Sequence, residues 1–94
     1  MDILELQKKQ YDWVERMGWH NKTTLESLAL ISSEVGEAVN ECRGEKPSSD
    51  FGSELADIIL RTVDLAETEG IDIAKEIEIK MDINEKRGTR GRLV

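Results

Sequence analysis

Apolar side chains recur every three or four residues along most of this chain, and that spacing predicts α-helices. Asp2 followed by Glu5 has the spacing of a capping box and predicts the start of a first helix, which Gly18 ends. Thr23 followed by Glu26 repeats that spacing and predicts the start of a second helix, about twenty residues long.

Glycine and proline mark the remaining boundaries. A loop is predicted over residues 44–49, where a helix-ending glycine, the sole proline and two serines occur together. A third helix is predicted from about Asp50 to Gly70. A fourth helix follows Asp72, which is suited to cap it, and reaches about Arg87. The residues after the fourth helix are predicted to form a mobile tail.

The fourth segment also alternates apolar and polar residues in the way a β-strand does. A helix is favoured because no other segment offers a pairing strand, and a lone strand would leave its backbone groups unpaired. In a helix, Ile77 and Met81 lie on one side while Ile79 and Ile83 lie on the other. Two apolar sides indicate two partners, the chain's own bundle and a second subunit.

Length, charge and cysteine content narrow the classes of protein. With 94 residues, positions 1–94 make a single domain whose core is only marginally sufficient, so self-association is expected. The net charge of -7 disfavours direct nucleic-acid binding and binding to an anionic membrane. Cys42 is the only cysteine, which excludes an intramolecular disulfide, and it is predicted to be a small core residue. The absence of a membrane-spanning stretch or leader pattern predicts a cytoplasmic location.

Two pairs of acidic residues are the strongest candidates for chemistry. Glu34 with Glu37, and Glu54 with Asp57, are each three residues apart, so each pair lies on one side of its helix. If the two helices are neighbours, four carboxylates converge, and their repulsion is tolerable only when protons or cations neutralise it. Such hard oxygen ligands indicate Mg²⁺ or Mn²⁺. The spacing alone also fits two solvated helix faces in an acid-rich chain.

The acidic pairs and their surroundings resemble the metal motif of the MazG-like nucleoside triphosphate pyrophosphohydrolases, a branch of the all-α NTP pyrophosphatase superfamily. Similar stretches are residues 27–30 before the first pair, 58–61 after the second, and 80–87 near the end. The resemblance implies an all-α, four-helix bundle-like core completed by homo-oligomerisation, as a homodimer or homotetramer. It also implies hydrolysis of a nucleoside triphosphate to the monophosphate and pyrophosphate.

Glu34, Glu37, Glu54 and Asp57 are accordingly the expected metal ligands and catalytic residues. They are expected to hold one or more Mg²⁺ ions, with Mn²⁺ as the alternative, that bridge the triphosphate and activate a water molecule. One of these carboxylates is also expected to accept the proton of that water, and the sequence does not say which.

Basic residues of the fourth helix are candidates for substrate binding. Lys80, Asn84 and Arg87 share one face and resemble the family's lysine and asparagine that contact phosphate or sugar, with an ordinary solvated face as the alternative. Arg61 lies one turn after Asp57 and is predicted to pair with it, with contact to a phosphate as the alternative.

Aromatic residues near the first turn are candidates for base recognition. Trp13 is predicted to be a core residue, because a tryptophan side chain is more often part of the core than of a ligand pocket. Trp19 and His20 are predicted either to line a base pocket or to pack the turn. A neutral imidazole on His20 could hydrogen-bond a base.

The leading hypothesis is therefore an Mg²⁺-dependent nucleoside triphosphate pyrophosphohydrolase that limits non-standard or surplus nucleotides. A phosphoribosyl-ATP pyrophosphohydrolase-like enzyme is an alternative, although Ser33 stands where that relative carries a denser acidic run. An alternative of another class is a non-catalytic helical interaction module, assembled through the two-sided fourth helix.

Overall fold

The computed structural model describes residues 1–88 and, within that range, contains four α-helices and no strand. The helices are α1 (Ile3–Arg16), α2 (Thr24–Asn40), α3 (Phe51–Thr68) and α4 (Ile73–Arg87). The prediction of an all-α fold with four helices is confirmed, and the segment with alternating polarity is helical. The predicted mobile tail falls on residues 89–94, outside the described part of the chain.

The helix starts form as the sequence predicts. The Asp2 carboxylate accepts a hydrogen bond from the backbone N–H of Glu5 at 2.7 Å, and the Glu5 side chain accepts one from Asp2 in return. Thr23 and Glu26 form the same reciprocal pair at the start of α2. Asp72 accepts a backbone N–H in the first turn of α4. Each such cap stabilises its helix by about 1 kcal/mol.

The central element is α3, which packs against both α1 and α2, while α4 packs against α1. Buried apolar side chains among the described residues are few and small, namely Val14, Ala38, Val63 and Ala66. They come from α1, α2 and α3 and form a narrow seam between these helices. A seam of this size provides little apolar burial for a stable domain.

A buried glutamine fastens α1 to the junction of α3 and α4. Gln7 is 1% exposed, and its side-chain amide donates to Oε1 of Glu67 at 2.8 Å and to the backbone oxygen of Ile71 at 2.7 Å. Its amide oxygen accepts the backbone N–H of Ile73 at 3.3 Å. These three hydrogen bonds satisfy the buried amide and fix where α4 begins relative to α1.

Several residues that the apolar stripes place inward are open in the single chain. Leu55 and Ile59 are 43% and 53% exposed, although helical spacing puts them on the same side of α3 as the buried Val63 and Ala66, so that side is covered only in the later turns of α3. Cys42 is exposed just after α2, so its assignment to the core is wrong.

The last helix is the least covered part of the described chain. No residue of α4 is buried, and Met81 is 65% exposed. Only the first turn, at Ile73 and Ala74, is half-buried. The prediction that one side of α4 packs on the chain's own bundle therefore holds at its start and fails beyond it, because the contact with α1 is short.

Candidate functional site

Carboxylates from α2 and α3 meet where these two helices pack. Glu34 from α2, and Glu54 and Asp57 from α3, each place one oxygen within 4.8 Å of the others, and all three residues are half-buried. The convergence predicted from their spacing is confirmed for these three residues. Oxygen ligands lie about 2.0–2.6 Å from a bound Mg²⁺ or Ca²⁺ ion, so oxygens this close together can share one cation.

Glu37 is the exposed fourth member of this acidic cluster. A hydrogen bond with Glu34 raises the pKa of Glu37, and the negative charges of Glu34, Glu54 and Asp57 add to the effect. Burial raises the pKa of Glu54, followed by repulsion from Asp57 and Glu34. Carboxylates that raise each other's pKa in this way would be relieved by a cation.

One arginine neutralises part of the cluster. Arg61 donates from Nε to Oε2 of Glu34 at 2.6 Å, and this bond, followed by one with Glu37, lowers the pKa of Glu34. The predicted pairing of Arg61 with Asp57 is therefore wrong in its partner, because the guanidinium extends from α3 across to α2. Among residues 1–88, no lysine or arginine forms an ion pair with Glu37, Glu54 or Asp57.

A cleft of about 770 Å³ extends from the acidic cluster to the turn between α1 and α2. Its acidic end is lined by Glu34, Asp57 and Arg61, and its aromatic end by Trp13, Trp19, His20 and Asp64. The two indole rings meet edge to face, with centroids 5.2 Å apart. Trp13 is 41% exposed and Trp19 51%, so the assignment of Trp13 to the core is wrong and both indoles are accessible to a ligand.

His20 is held by two carboxylates from different helices. Its Nδ1 lies 2.6 Å from Oε1 of Glu15 and its Nε2 lies 2.7 Å from Oδ1 of Asp64, while its ring stacks on Tyr11 at 4.3 Å. Both ring nitrogens must donate to satisfy these partners, so the imidazole carries both protons. Burial lowers the pKa of His20, but the hydrogen bonds to Asp64 and Glu15 and their charges outweigh it and raise the pKa above 6.5.

The geometry places His20 both in the cleft wall and against the turn, where its ring stacks on Tyr11. Its predicted place in a base pocket stays a prediction. The neutral imidazole that would hydrogen-bond a base is contradicted, because both nitrogens are already engaged with carboxylates. The partners Glu15, Tyr11 and Asp64 were missed by sequence reasoning, although Asp64 lies seven residues after Asp57 and so on the same side of α3.

The predicted phosphate contacts lie elsewhere in the single chain. Lys80, Asn84 and Arg87 are exposed on α4, and none of them lines the cleft. The contacts of α4 with α1 do not bring these residues to the acidic cluster. Their binding to phosphate or sugar stays a prediction.

No family model, curated protein or solved structure matches this chain. Within residues 1–88, no helix combines the length and apolar character needed to cross a bilayer. The cleft itself is the feature that points to a function, because carboxylates of the acidic cluster and exposed aromatic rings line one continuous space.

Proposed function

We propose that this protein is an Mg²⁺-dependent nucleoside triphosphate pyrophosphohydrolase of the MazG-like type. The observation that carries the proposal is one cleft with a carboxylate cluster at one end and two accessible indoles at the other. A nucleoside triphosphate has the matching two-part chemistry, since its phosphates are handled with Mg²⁺ and its flat base stacks on aromatic rings. The resemblance of the two acidic pairs to the family's metal motif supports the same reaction.

The carboxylates have distinct parts in this reaction. Glu34, Glu54 and Asp57 provide the oxygens for Mg²⁺, or for Mn²⁺ in its place. When bound, the cation supplies neutralisation of phosphate charge and acidifies an attacking water. Glu37, which is exposed beside these three ligands and shares a hydrogen bond with Glu34, accepts the proton of that water.

The bond that breaks joins the α-phosphorus to the oxygen leading to the β-phosphate. Water adds its oxygen to the α-phosphorus and gives its proton to Glu37, and pyrophosphate leaves with the bridging oxygen. Arg61 lines the cleft and bonds Glu34 through Nε, so its other guanidinium N–H groups are free to donate to phosphate oxygens. The products are a nucleoside monophosphate and pyrophosphate.

We infer that a homo-oligomer completes this enzyme. Leu28 and Val35 of α2 and Leu55 and Ile59 of α3 are between 43% and 53% exposed, and α4 buries none of its residues. So much uncovered apolar surface on a small chain favours an interface between copies. Docking of a second chain's α4 near the cleft would also provide a place for the predicted contacts of Lys80, Asn84 and Arg87 with phosphate.

Light scattering after size-exclusion chromatography tests the assembly. The wild-type chain is expected to elute as a dimer or tetramer, and Ile59→Asp is expected to shift it toward a monomer because it places a charge in the interface. Lys46→Glu, in the exposed loop before α3, is the matched control and should leave the mass unchanged. A monomeric wild-type protein would contradict the assembly.

Product analysis tests the reaction. The protein is incubated with deoxynucleoside and ribonucleoside triphosphates and Mg²⁺, and the products are separated by ion-exchange chromatography. Monophosphate plus pyrophosphate is expected, with no turnover in a chelator. Diphosphate plus orthophosphate would place the attack at the terminal phosphorus and contradict the proposal. In the cell, this activity would limit non-standard or surplus nucleotides in the cytoplasmic pool.

The uncovered sides of α4 favour one second candidate, a non-catalytic helical interaction module. Such a module has no use for carboxylates that raise each other's pKa inside a cleft. Turnover that requires the divalent cation would exclude it, whereas assembly without any turnover would support it.

A further inference from the structure

We propose that the aromatic end of the cleft selects nucleobases that carry an exocyclic amino group, and that the Asp64 carboxylate recognises this group. The inference rests on the proposed function, because it assumes that a nucleotide occupies the cleft. The amino group meant is the one at C4 of cytosine or C6 of adenine. Uracil, thymine, hypoxanthine and guanine carry a carbonyl oxygen at the corresponding position, and the amino group of guanine lies at C2 instead.

Asp64 has acceptor capacity that the protein itself does not use up. Its Oδ1 accepts from Nε2 of His20 at 2.7 Å, its side chain is 19% exposed, and it lines the cleft. An ionised carboxylate accepts on two oxygens, at about four lone-pair positions, and cannot donate. A hydrogen bond from a ligand can therefore be added at Asp64, and the ligand atom must be a donor.

The surroundings hold the Asp64 side chain in place. His20 carries both of its protons and is itself held by Glu15 and by stacking on Tyr11. Its N–H groups are thus spent on carboxylates and are not offered to a base. A positioned, charged acceptor of this kind makes stronger hydrogen bonds than a neutral one.

The other polar residues at this end differ from Asp64 in what they offer. Thr68 donates to the backbone oxygen of Asp64, and Gln10 and Ser27 line the cleft with side chains that either donate or accept. Lys22 is exposed, and one of its three N–H groups donates to the side chain of Asn21. Asp64 is consequently the side chain at this end that can only accept a hydrogen bond.

The position of Asp64 along α3 suits the edge of a base. It lies seven residues after Asp57, which corresponds to about 10 Å along the helix on the same side. A nucleotide with its phosphates at the acidic cluster therefore directs its base toward Asp64, with the sugar between them. An amino group then donates to the carboxylate, whereas a carbonyl oxygen would face a negative charge and leave the acceptor unpaired.

Matched nucleotide pairs test this selection. Comparison of dCTP with dUTP and of dATP with dITP replaces the amino group by a carbonyl oxygen and turns the neighbouring ring nitrogen from an acceptor into an N–H donor. With Mg²⁺ present, kcat/KM is expected to favour the amino member of each pair at least about tenfold, mainly through KM. The separate pairs also show whether the pyrimidine, the purine or both are accepted.

Substitution of the acceptor provides the decisive variant. Asp64→Asn retains a side-chain oxygen for His20 and presents an NH₂ group instead of a second oxygen, so the preference should fall or invert toward dUTP and dITP. Asp12→Asn, an exposed acid-to-amide change on α1 outside the cleft, is the control and should keep the wild-type preference. If Asp64→Asn fails to fold, His20→Phe keeps a ring against Tyr11 and should weaken the preference without inverting it.

Binding of dCMP and dUMP by calorimetry separates this inference from the proposed function. Absence of turnover with every nucleotide would overturn the pyrophosphohydrolase, and a dCMP preference lost in Asp64→Asn would still support base selection. Equal kcat/KM within both the dCTP–dUTP and the dATP–dITP pair, or a preference unchanged in Asp64→Asn, would overturn base selection and leave the enzyme assignment intact. Equal binding of dCMP and dUMP with no turnover would overturn both.

Discussion

The two ends of the cleft both contain grouped carboxylates, but they balance the charge differently. At the aromatic end, Glu15 and Asp64 share one protonated imidazole, so their charge is compensated largely within the chain. At the acidic end, Arg61 pairs with Glu34 alone, and the rest of the cluster raises the pKa of its members. The aromatic end sets one imidazole against two carboxylates, whereas the acidic end sets one guanidinium against four, so a bound cation would relieve the acidic end more.

Loss of one acidic-end carboxylate is expected to have the largest effect. Glu54→Gln removes a charged ligand oxygen while keeping the side chain's size, so Mg²⁺-dependent turnover should fall on the order of a hundredfold or more. Initial rates of pyrophosphate release measure this loss. Glu76→Gln, an exposed change of the same type on α4, should retain wild-type rates. Equal activity of Glu54→Gln and Glu76→Gln would contradict the assignment of the cluster.

Thermal unfolding with added Mg²⁺ or Mn²⁺ tests the same difference between the acidic and the aromatic end of the cleft. A cation that binds only the folded protein stabilises it by about 2.7 kcal/mol at a hundredfold excess over Kd, which should raise Tm by several degrees. The increase should vanish in Glu54→Gln and persist in Asp64→Asn, because the second change lies at the compensated end. An unchanged increase in Glu54→Gln would show that the cation binds elsewhere.

The pH dependence of the free energy of unfolding, measured without metal, should also distinguish the two ends of the cleft, although the effect is smaller. A group whose pKa is raised in the folded state contributes its full stabilisation at pH values below its pKa in the unfolded chain. That stabilisation is lost as the pH rises through its pKa in the folded protein. For Glu37 and Glu54 this loss begins near pH 4.5, and for His20 it begins near pH 6.5. Denaturant unfolding at a series of pH values measures both losses.

Two variants test which residue causes each of these pH-dependent losses of stability. Glu37→Gln should reduce the loss of stability that begins near pH 4.5, and His20→Phe should reduce the loss that begins near pH 6.5. A His20→Phe protein that keeps the wild-type slope above pH 6.5 would contradict the imidazole bridge between Glu15 and Asp64. Added Mg²⁺ should change the loss of stability that begins near pH 4.5 and leave the loss that begins near pH 6.5 unchanged.

Local features could be predicted from the sequence because neighbouring residues determine them. The capping boxes at Asp2 and Thr23 need only residues three positions apart, and both formed as predicted. The acidic cluster required one further assumption, that α2 and α3 are neighbours, and its three half-buried members converge. Its use of Mg²⁺, and the activity proposed from it, stay predictions.

Contacts between distant segments could not be predicted in the same way. The bond from Arg61 to Glu34 spans helices, and the spacing favoured the nearer Asp57 instead. The bond between His20 and Asp64 depends on how the turn after α1 docks against α3, and no local pattern encodes that. The prediction that Trp13 is a core residue was wrong for another reason. Apolar character does not show which sides of a helix are covered within a single chain.

The enclosed amide of Gln7 has a mechanical consequence for the whole molecule. It joins the α3–α4 junction to α1, and α1 also carries Tyr11 and Trp13 one to two turns further along. Because a helix transmits displacement along its axis, tilting α4 against another molecule would shift the aromatic wall of the cleft. If the chain assembles through α4 and binds a base in the cleft as proposed, Gln7 would link the two events.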